Sequence, residues 1–223
     1  MAHLEFTSRS STTTIFTPAA NAYQRGGKRC FDLLFALVLL PILVPITFLF
    51  VILNSLNIGS PIFGHARIGK NGHRFMCWKL QTMHPDSDHI LTAFLASDPS
   101  AAAEWAQTQK LKDDPRVTSF GWFLRRTSLD ELPQIWNVIC GDMSFVGPRP
   151  ITQCELHRYG GDASEYLSVR PGVTGLWQVY GRANGCYKER VRLDTNYCHA
   201  ITIHQDLALI AMTALVVIKA TGK

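Results

Sequence analysis

An aspartate and a glutamate stand side by side in Ser128-Leu129-Asp130-Glu131-Leu132-Pro133, just downstream of Arg125 and Arg126. Carboxylates hold hard divalent cations and guanidinium groups grip phosphate oxygens, so an acid pair beside basic residues can hold a metal and a polyanion together. The same residues have a plainer reading. Ser128 and Glu131 have capping-box spacing and Pro133 fits a first helical turn, so both acids could simply decorate a helix N-terminus, where the dipole favours them.

Three arginines are framed by glycine and proline: Arg149 in Gly147-Pro148-Arg149-Pro150, Arg170 in Arg170-Pro171-Gly172, and Arg182 after Gly181. Prolines fix φ on both sides of Arg149, so its side chain starts from a restricted backbone suited to a bidentate grip on phosphate. Each motif alone is compatible with a solvated turn; together they favour phosphate recognition. Lys79, between Trp78 and Leu80, is either an exposed strand lysine or a substrate ligand. Asp194 and Tyr197 have helical i, i+3 spacing and read as a surface pair or a substrate contact. The eight histidines form no HExxH or Ser/His/Asp pattern, and Gly69-Lys70 lacks the glycine loop of a Walker motif. The six cysteines include no CxxC, which argues against structural zinc, and reduced thiols are expected.

These residues need elements to position them. The chain has 223 residues, enough for one domain with a sizeable core; 47% are hydrophobic and only 17% charged. Much of the excess lies in the run Cys30–Leu53, which at about 1.5 Å per residue is long enough to cross a hydrocarbon core about 30 Å thick. Residues 1–24 read as a mobile tail. Pro41 and Pro45 interrupt the run, which is then either a kinked transmembrane helix or one that breaks and returns to its side of entry. Positive residues flank both ends (Arg25, Lys28 and Arg29 before, Arg67, Lys70 and Arg74 after), which favours the return. Lys28 and Arg29 would then lie at an anionic leaflet. The net charge of +5 suits nucleic acid, such a leaflet or a phosphorylated substrate, and the apolar run favours the last two, so no nucleic-acid partner is expected.

Pro61 to Met83 reads as a hairpin around Asn71-Gly72. His84 to Lys110 reads as helical, Phe120 to Arg126 as a short helix, and a further helix runs from Ser128 to Gly141. Loops dense in glycine, proline and arginine fill 141–150 and 170–185. Leu207 to Ile218 is too short to span a bilayer and suits an interfacial helix. The expected fold is α+β, a mostly helical single domain with a re-entrant membrane helix at 25–56, a β-hairpin, and a catalytic domain at 57–223 ending in an interfacial C-terminal helix.

Read together, Ser-Leu-Asp-Glu-Leu-Pro-Gln at 128–134, Gly-Asp-Met-Ser-Phe-Val-Gly-Pro-Arg-Pro at 141–150 and Arg-Pro-Gly-Val-Thr-Gly-Leu-Trp-Gln-Val at 170–179 resemble the monotopic bacterial phosphoglycosyltransferases. The likeness starts at Lys28-Arg29-Cys30-Phe31-Asp32 and covers nearly everything after the tail. It implies a membrane protein on the cytoplasmic face of the bacterial inner membrane, taking a UDP-sugar donor and an undecaprenyl phosphate acceptor and initiating exopolysaccharide synthesis. Galactose or glucose phosphate is the expected cargo, and UMP the leaving product. The resemblance makes Asp130 the nucleophile and a ligand of Mg²⁺, Glu131 its neighbour, and Lys79 and Arg149 substrate-binding. Arg126, Arg170, Arg182, Asp194 and Tyr197 are further candidate substrate contacts, and a homodimer remains open. Family members often carry Ser-Pro at the helix break, whereas this chain has Leu-Pro at Pro41 and Val-Pro at Pro45. Two other functions are compatible with parts of the pattern: a non-catalytic membrane scaffold for glycan assembly, and a membrane-bound phosphohydrolase.

Overall fold

The computed structural model describes residues 21–108, 111–181 and 186–218. Residues 1–20 of the expected tail lie outside them. Asn21 and Tyr23 are docked, donating to the carbonyl of Ile201 at 3.0 Å and to Asp206 at 2.7 Å. The described residues are mostly helical, with two small sheets, as the α+β reading expects.

The hairpin forms where Asn-Gly predicts it. Strands β1 (Ile62–Ile68) and β2 (Arg74–Leu80) pair antiparallel around a tight turn in which Asn71 and Gly72 take φ of 57° and 77°. Side chains alternate along β2, and Phe75 and Cys77 are buried. Lys79 has the same parity, so the pleat turns it inward with them rather than out to solvent.

Helix α1 (Lys28–Ile58) continues through Pro41 and Pro45 without interruption, so the expected break is not a gap in the helix. Each proline removes one donor, which membrane helices tolerate. The two ends of α1 are held by buried polar side chains. Near its start, Asp32 accepts from Ser144 Oγ at 3.0 Å and from the backbone N–H of Phe145 at 3.1 Å. Near its end, Asn54 donates to the carbonyls of Gln81 at 2.7 Å and Pro61 at 3.0 Å. Between these anchors Leu34, Leu37, Val38, Ile42, Phe48 and Leu49 are exposed. Lys28 and Arg29 are committed within the protein, Lys28 to the buried Asp206 at 2.6 Å and Arg29 to the carbonyls of Val138 and Ile139. Asn54→Ala leaves two carbonyls without this donor, so the detergent-solubilised variant should lose about 1–3 kcal/mol and melt lower. An unchanged melting midpoint would show that the anchor is dispensable.

Helices α2 (Ser87–Ser97) and α3 (Pro99–Thr108) pack together, and α4 (Ser119–Arg126) and α5 (Gln134–Cys140) follow. Strand β3 (Ser144–Val146) is fully buried and pairs in parallel with β4 (Gly172–Thr174), reached through the short helices α6 (Gln153–Leu156) and α7 (Ala163–Ser168). A Cβ on Gly172 would overlap the backbone of Gly147, so glycine lets the two arginine-bearing loops cross at backbone distance. Helices α8 (Tyr187–His199) and α9 (Ile203–Ile218) close the chain. The core joins Ala36 of α1, Phe75 and Cys77 of β2, Val138 of α5, Phe145 and Val146 of β3, Tyr197 of α8 and Leu209 of α9.

Candidate active site

The acid pair sits in an elbow between α4 and α5. Ser128 takes the left-handed conformation (φ 57°) and makes no side-chain cap, so the capping box does not form. The helix expected from Ser128 to Gly141 is a single 3₁₀ turn, Leu129–Glu131, followed by α5 with Pro133 at its N-cap. A left-handed residue at the end of α4 turns the chain sharply and aims Asp130 inward, where it is 8% exposed.

The elbow is fixed from both sides. Asn137 on α5 accepts from the backbone N–H of Trp78 at 3.1 Å and donates to the carbonyl of Met76 at 2.8 Å, so α5 is pinned to the strand that carries Lys79. Helix α4 starts against the end of β2, where the backbone N–H of Thr118 donates to the Thr82 carbonyl at 3.1 Å. Arg125 on α4 then donates from Nε to Thr82 Oγ1 at 2.9 Å.

Lys79 bridges the two acids. Its Nζ lies 2.7 Å from Glu131 Oε1 and 3.3 Å from Asp130 Oδ2, and Arg149 stands 3.9 Å from Glu131 Oε1. Burial pushes the Asp130 carboxyl above its usual range, and the Glu131 charge adds to that; Lys79 pulls the other way without cancelling it. For Lys79, burial disfavours the charged form, but Glu131 and Asp130 outweigh it and hold the ammonium above its ordinary pKa. Asp130, Glu131, Lys79 and Arg149 line a cavity of about 590 Å³ together with Thr82, Ser87, Asp114, Arg116 and Arg125. Arg116 is held by Asp114 at 2.7 Å and faces the Trp105 ring at 5.0 Å. Four cations line the cavity with three carboxylates, one of which, Asp114, is taken by Arg116. That leaves Lys79, Arg125 and Arg149 around the acid pair, in an arrangement that suits a diphosphate.

Other expected contacts lie elsewhere. Successive helical residues point about 100° apart, so Arg125 and Arg126 cannot both face the cavity; Arg126 lies over the Trp122 ring at 5.0 Å. Arg170 donates to the carbonyl of Gly141 at 2.6 Å and lines a separate cleft with Arg25 and Lys70. Tyr197 is buried and donates to Asp206 at 2.7 Å. Asp194 is buried behind Arg149: it accepts from Tyr159 at 2.7 Å and faces Arg190, which in turn donates to the Arg149 carbonyl at 3.3 Å. Its carboxyl is pushed up to about 6 by burial. The i, i+3 spacing of Asp194 and Tyr197 is therefore that of two inward-facing core contacts. Arg182 lies outside the described residues. Sequence reading passed over Asn137 and Arg116 and set Arg125 no higher than Arg126, because nothing in spacing alone says which polar side chains turn inward.

Among the described residues no three His, Cys, Asp or Glu side chains cluster to hold a metal. Asp130 and Glu131 nevertheless fit Mg²⁺, which is commonly bound by one or two carboxylates plus substrate phosphates rather than by a protein cage.

The chain is similar in sequence to several bacterial proteins. An undecaprenyl-phosphate galactose phosphotransferase of Salmonella typhimurium is 45% identical over 195 residues, 87% of this chain and 41% of the relative. A UDP-galactose-lipid carrier transferase of Erwinia amylovora is 46% identical over 195 residues, again 87% of this chain and 41% of the relative. An exopolysaccharide production protein, ExoY, of Sinorhizobium fredii is 46% identical over 210 residues, 92% of this chain and 93% of the relative. The chain thus spans about two fifths of the length of the first two and nearly all of the third. Residues 23–220 match the family profile described as bacterial sugar transferase, and the chain belongs to that family.

Proposed function

We propose that this chain transfers a hexose 1-phosphate, galactose or glucose phosphate, from a UDP-sugar to undecaprenyl phosphate with release of UMP, initiating an exopolysaccharide. The observation that carries the reading is the buried Asp130 carboxylate, bridged to Glu131 by Lys79 at the wall of a cation-lined cavity. The names of the Erwinia and Salmonella relatives support the donor and acceptor classes.

Lys79, Arg125 and Arg149 bind the donor diphosphate and cancel the repulsion between it and the attacking carboxylate. Asp130 attacks the sugar-bearing phosphorus, the bond to the UMP oxygen breaks, and UMP leaves with the electron pair. A phosphosugar remains on the Asp130 carboxylate. An oxygen of the lipid phosphate then attacks the same phosphorus, the bond to Asp130 breaks, and the carboxylate is regenerated. The acceptor is already an anion, so no general base is needed. Asp130 and Glu131 would hold Mg²⁺, which supplies charge neutralisation on the phosphate oxygens.

The membrane placement follows from α1. Asp32 and Asn54 would lie about 33 Å apart along a straight helix, yet both bond into the same polar body. A spanning helix would drag one of those anchors across the bilayer. A helix that stays unbroken but bends at Pro41 and Pro45 to enter and return keeps both ends, and the site, on one face, which we assign as the cytoplasmic face of the inner membrane. The exposed apolar side chains between the anchors support its immersion.

The test is UMP release by detergent-extracted protein with Mg²⁺, a panel of UDP-sugars and undecaprenyl phosphate. Release that requires the lipid, with one preferred sugar, is expected; free sugar phosphate as the product would mean hydrolysis instead. Arg149→Ala should raise the KM for the UDP-sugar about tenfold or more. Unchanged donor kinetics would make Arg149 an ordinary loop residue.

A further inference from the structure

The carboxamide of Gln178 is buried, and neither its Nε2 nor its Oε1 has a hydrogen-bond partner among the described residues. A primary amide carries two donors and an acceptor, and a native fold rarely buries all of them unpaired without a reason. Gln178 lies in the π turn Trp177–Gly181, with its Oε1 packed so closely on Gly175 that a Cβ there would come within 3.0 Å. Among the described residues the amide is packed in place without being bonded.

Two spaces border Gln178. One is a pocket of about 20 Å³ that Gln178 shares with Lys79, Glu131 and Arg149. The other is a crevice of about 160 Å³ between α1, α5 and α9, lined by Leu43, Ile135 and Val217, with Glu131 and Gln178 among its few polar residues. Leu43 lies between Pro41 and Pro45, and α1 and α9 both expose apolar side chains, including Phe48 and Leu215.

We propose that Gln178 binds the phosphate of the lipid acceptor through its carboxamide, with the first isoprene units lying in the crevice between α1 and α9. The inference rests on the function proposed above and adds the residue and the route that serve its second half-reaction. That acceptor is a phosphate monoester on an apolar chain, so it needs a polar end beside Asp130 and an apolar path leading away from it. Gln178 borders both the polar pocket and the apolar crevice. A neutral amide donor also suits an attacking phosphate, because it orients the group without neutralising the oxygen that must attack. In the step it serves, that oxygen bonds to phosphorus, the bond to Asp130 breaks, and the electron pair returns to the carboxylate.

The test compares two half-reactions in Gln178→Leu and in the isosteric Gln178→Glu, which keeps the shape and sets a negative charge against the phosphate. UMP released in a burst from UDP-sugar without acceptor reports folding and the first step. It should fall far less than acceptor-dependent turnover in both variants. The KM for undecaprenyl phosphate should rise about tenfold or more in both, with Gln178→Glu the worse. An unchanged acceptor KM overturns the proposal, as does a burst that falls in step with turnover, which would mark Gln178 as merely structural. Wild-type protein that releases UMP only with the acceptor present removes the covalent step and leaves the acceptor KM to decide. Wild-type protein that transfers nothing overturns the function and this inference together.

Discussion

Asp130→Asn should lower UMP release and lipid-linked product by about 10⁴-fold or more while the protein still folds and stays with the membrane. An amide of nearly the same shape keeps the packing of the elbow but is not a nucleophile, so no phosphosugar can form on it. The folding half of the prediction follows from the direction of the Asp130 pKa. Burial raises it, so the folded state binds this proton more tightly than the unfolded chain does. Stability from this group is therefore fully present below the ordinary carboxylate pKa and is lost as pH rises through the raised folded value. Above that raised folded value the ionised Asp130 costs stability, and the asparagine, neutral throughout, should melt no lower than wild type there. Lys79 keeps Glu131 at 2.7 Å as its partner. Substantial turnover by purified Asp130→Asn would remove Asp130 as the nucleophile; a lower melting midpoint would mean that the carboxylate also holds the elbow.

Lys79→Met should cost about 10²–10³-fold in kcat near neutral pH, the size seen when one preorganised electrostatic donor is lost. Lys79 is the cation within 3.3 Å of Asp130, and it opposes the burial that raises this carboxyl. Attack needs the ionised carboxylate, so activity rises with pH through the Asp130 pKa. That acid limb should already lie above the ordinary carboxylate range in the wild type. Removing the ammonium removes the pull toward ionisation, so the limb should move to higher pH in Lys79→Met. A pH–rate profile of both proteins checks this. A limb that stays where it was, with only the maximum lowered, would mean that Lys79 binds the donor without tuning Asp130.

The hairpin was legible in the sequence because Asn71-Gly72 demands positive φ at both residues, and the structure supplies it. Helix α1 was legible because an apolar run of that length has few other fates. The acid pair was legible by its residue types, but its setting was not: spacing put Ser128 at a helix cap, whereas a left-handed Ser128 makes an elbow instead. Strands β3 and β4 are three residues each, too short to show a period, and their pairing depends on a long-range approach between Gly147 and Gly172. The framed arginines looked alike in sequence, yet Arg149 reaches the acid pair and Arg170 caps the carbonyl of Gly141. Which way a polar side chain turns is decided by tertiary packing, and that information lies in partners such as Asn137 and Thr82, distant in the chain.

The most direct measurement is mass spectrometry of the purified protein after incubation with Mg²⁺ and its UDP-sugar in the absence of lipid acceptor. One equivalent of UMP should appear, together with a hexose-phosphate adduct on the peptide containing Asp130, and adding undecaprenyl phosphate should discharge the adduct into lipid-linked product. An enzyme that turns over rapidly with acceptor, yet releases no UMP and carries no adduct without it, would contradict a covalent Asp130 intermediate and point to direct transfer between the two substrates.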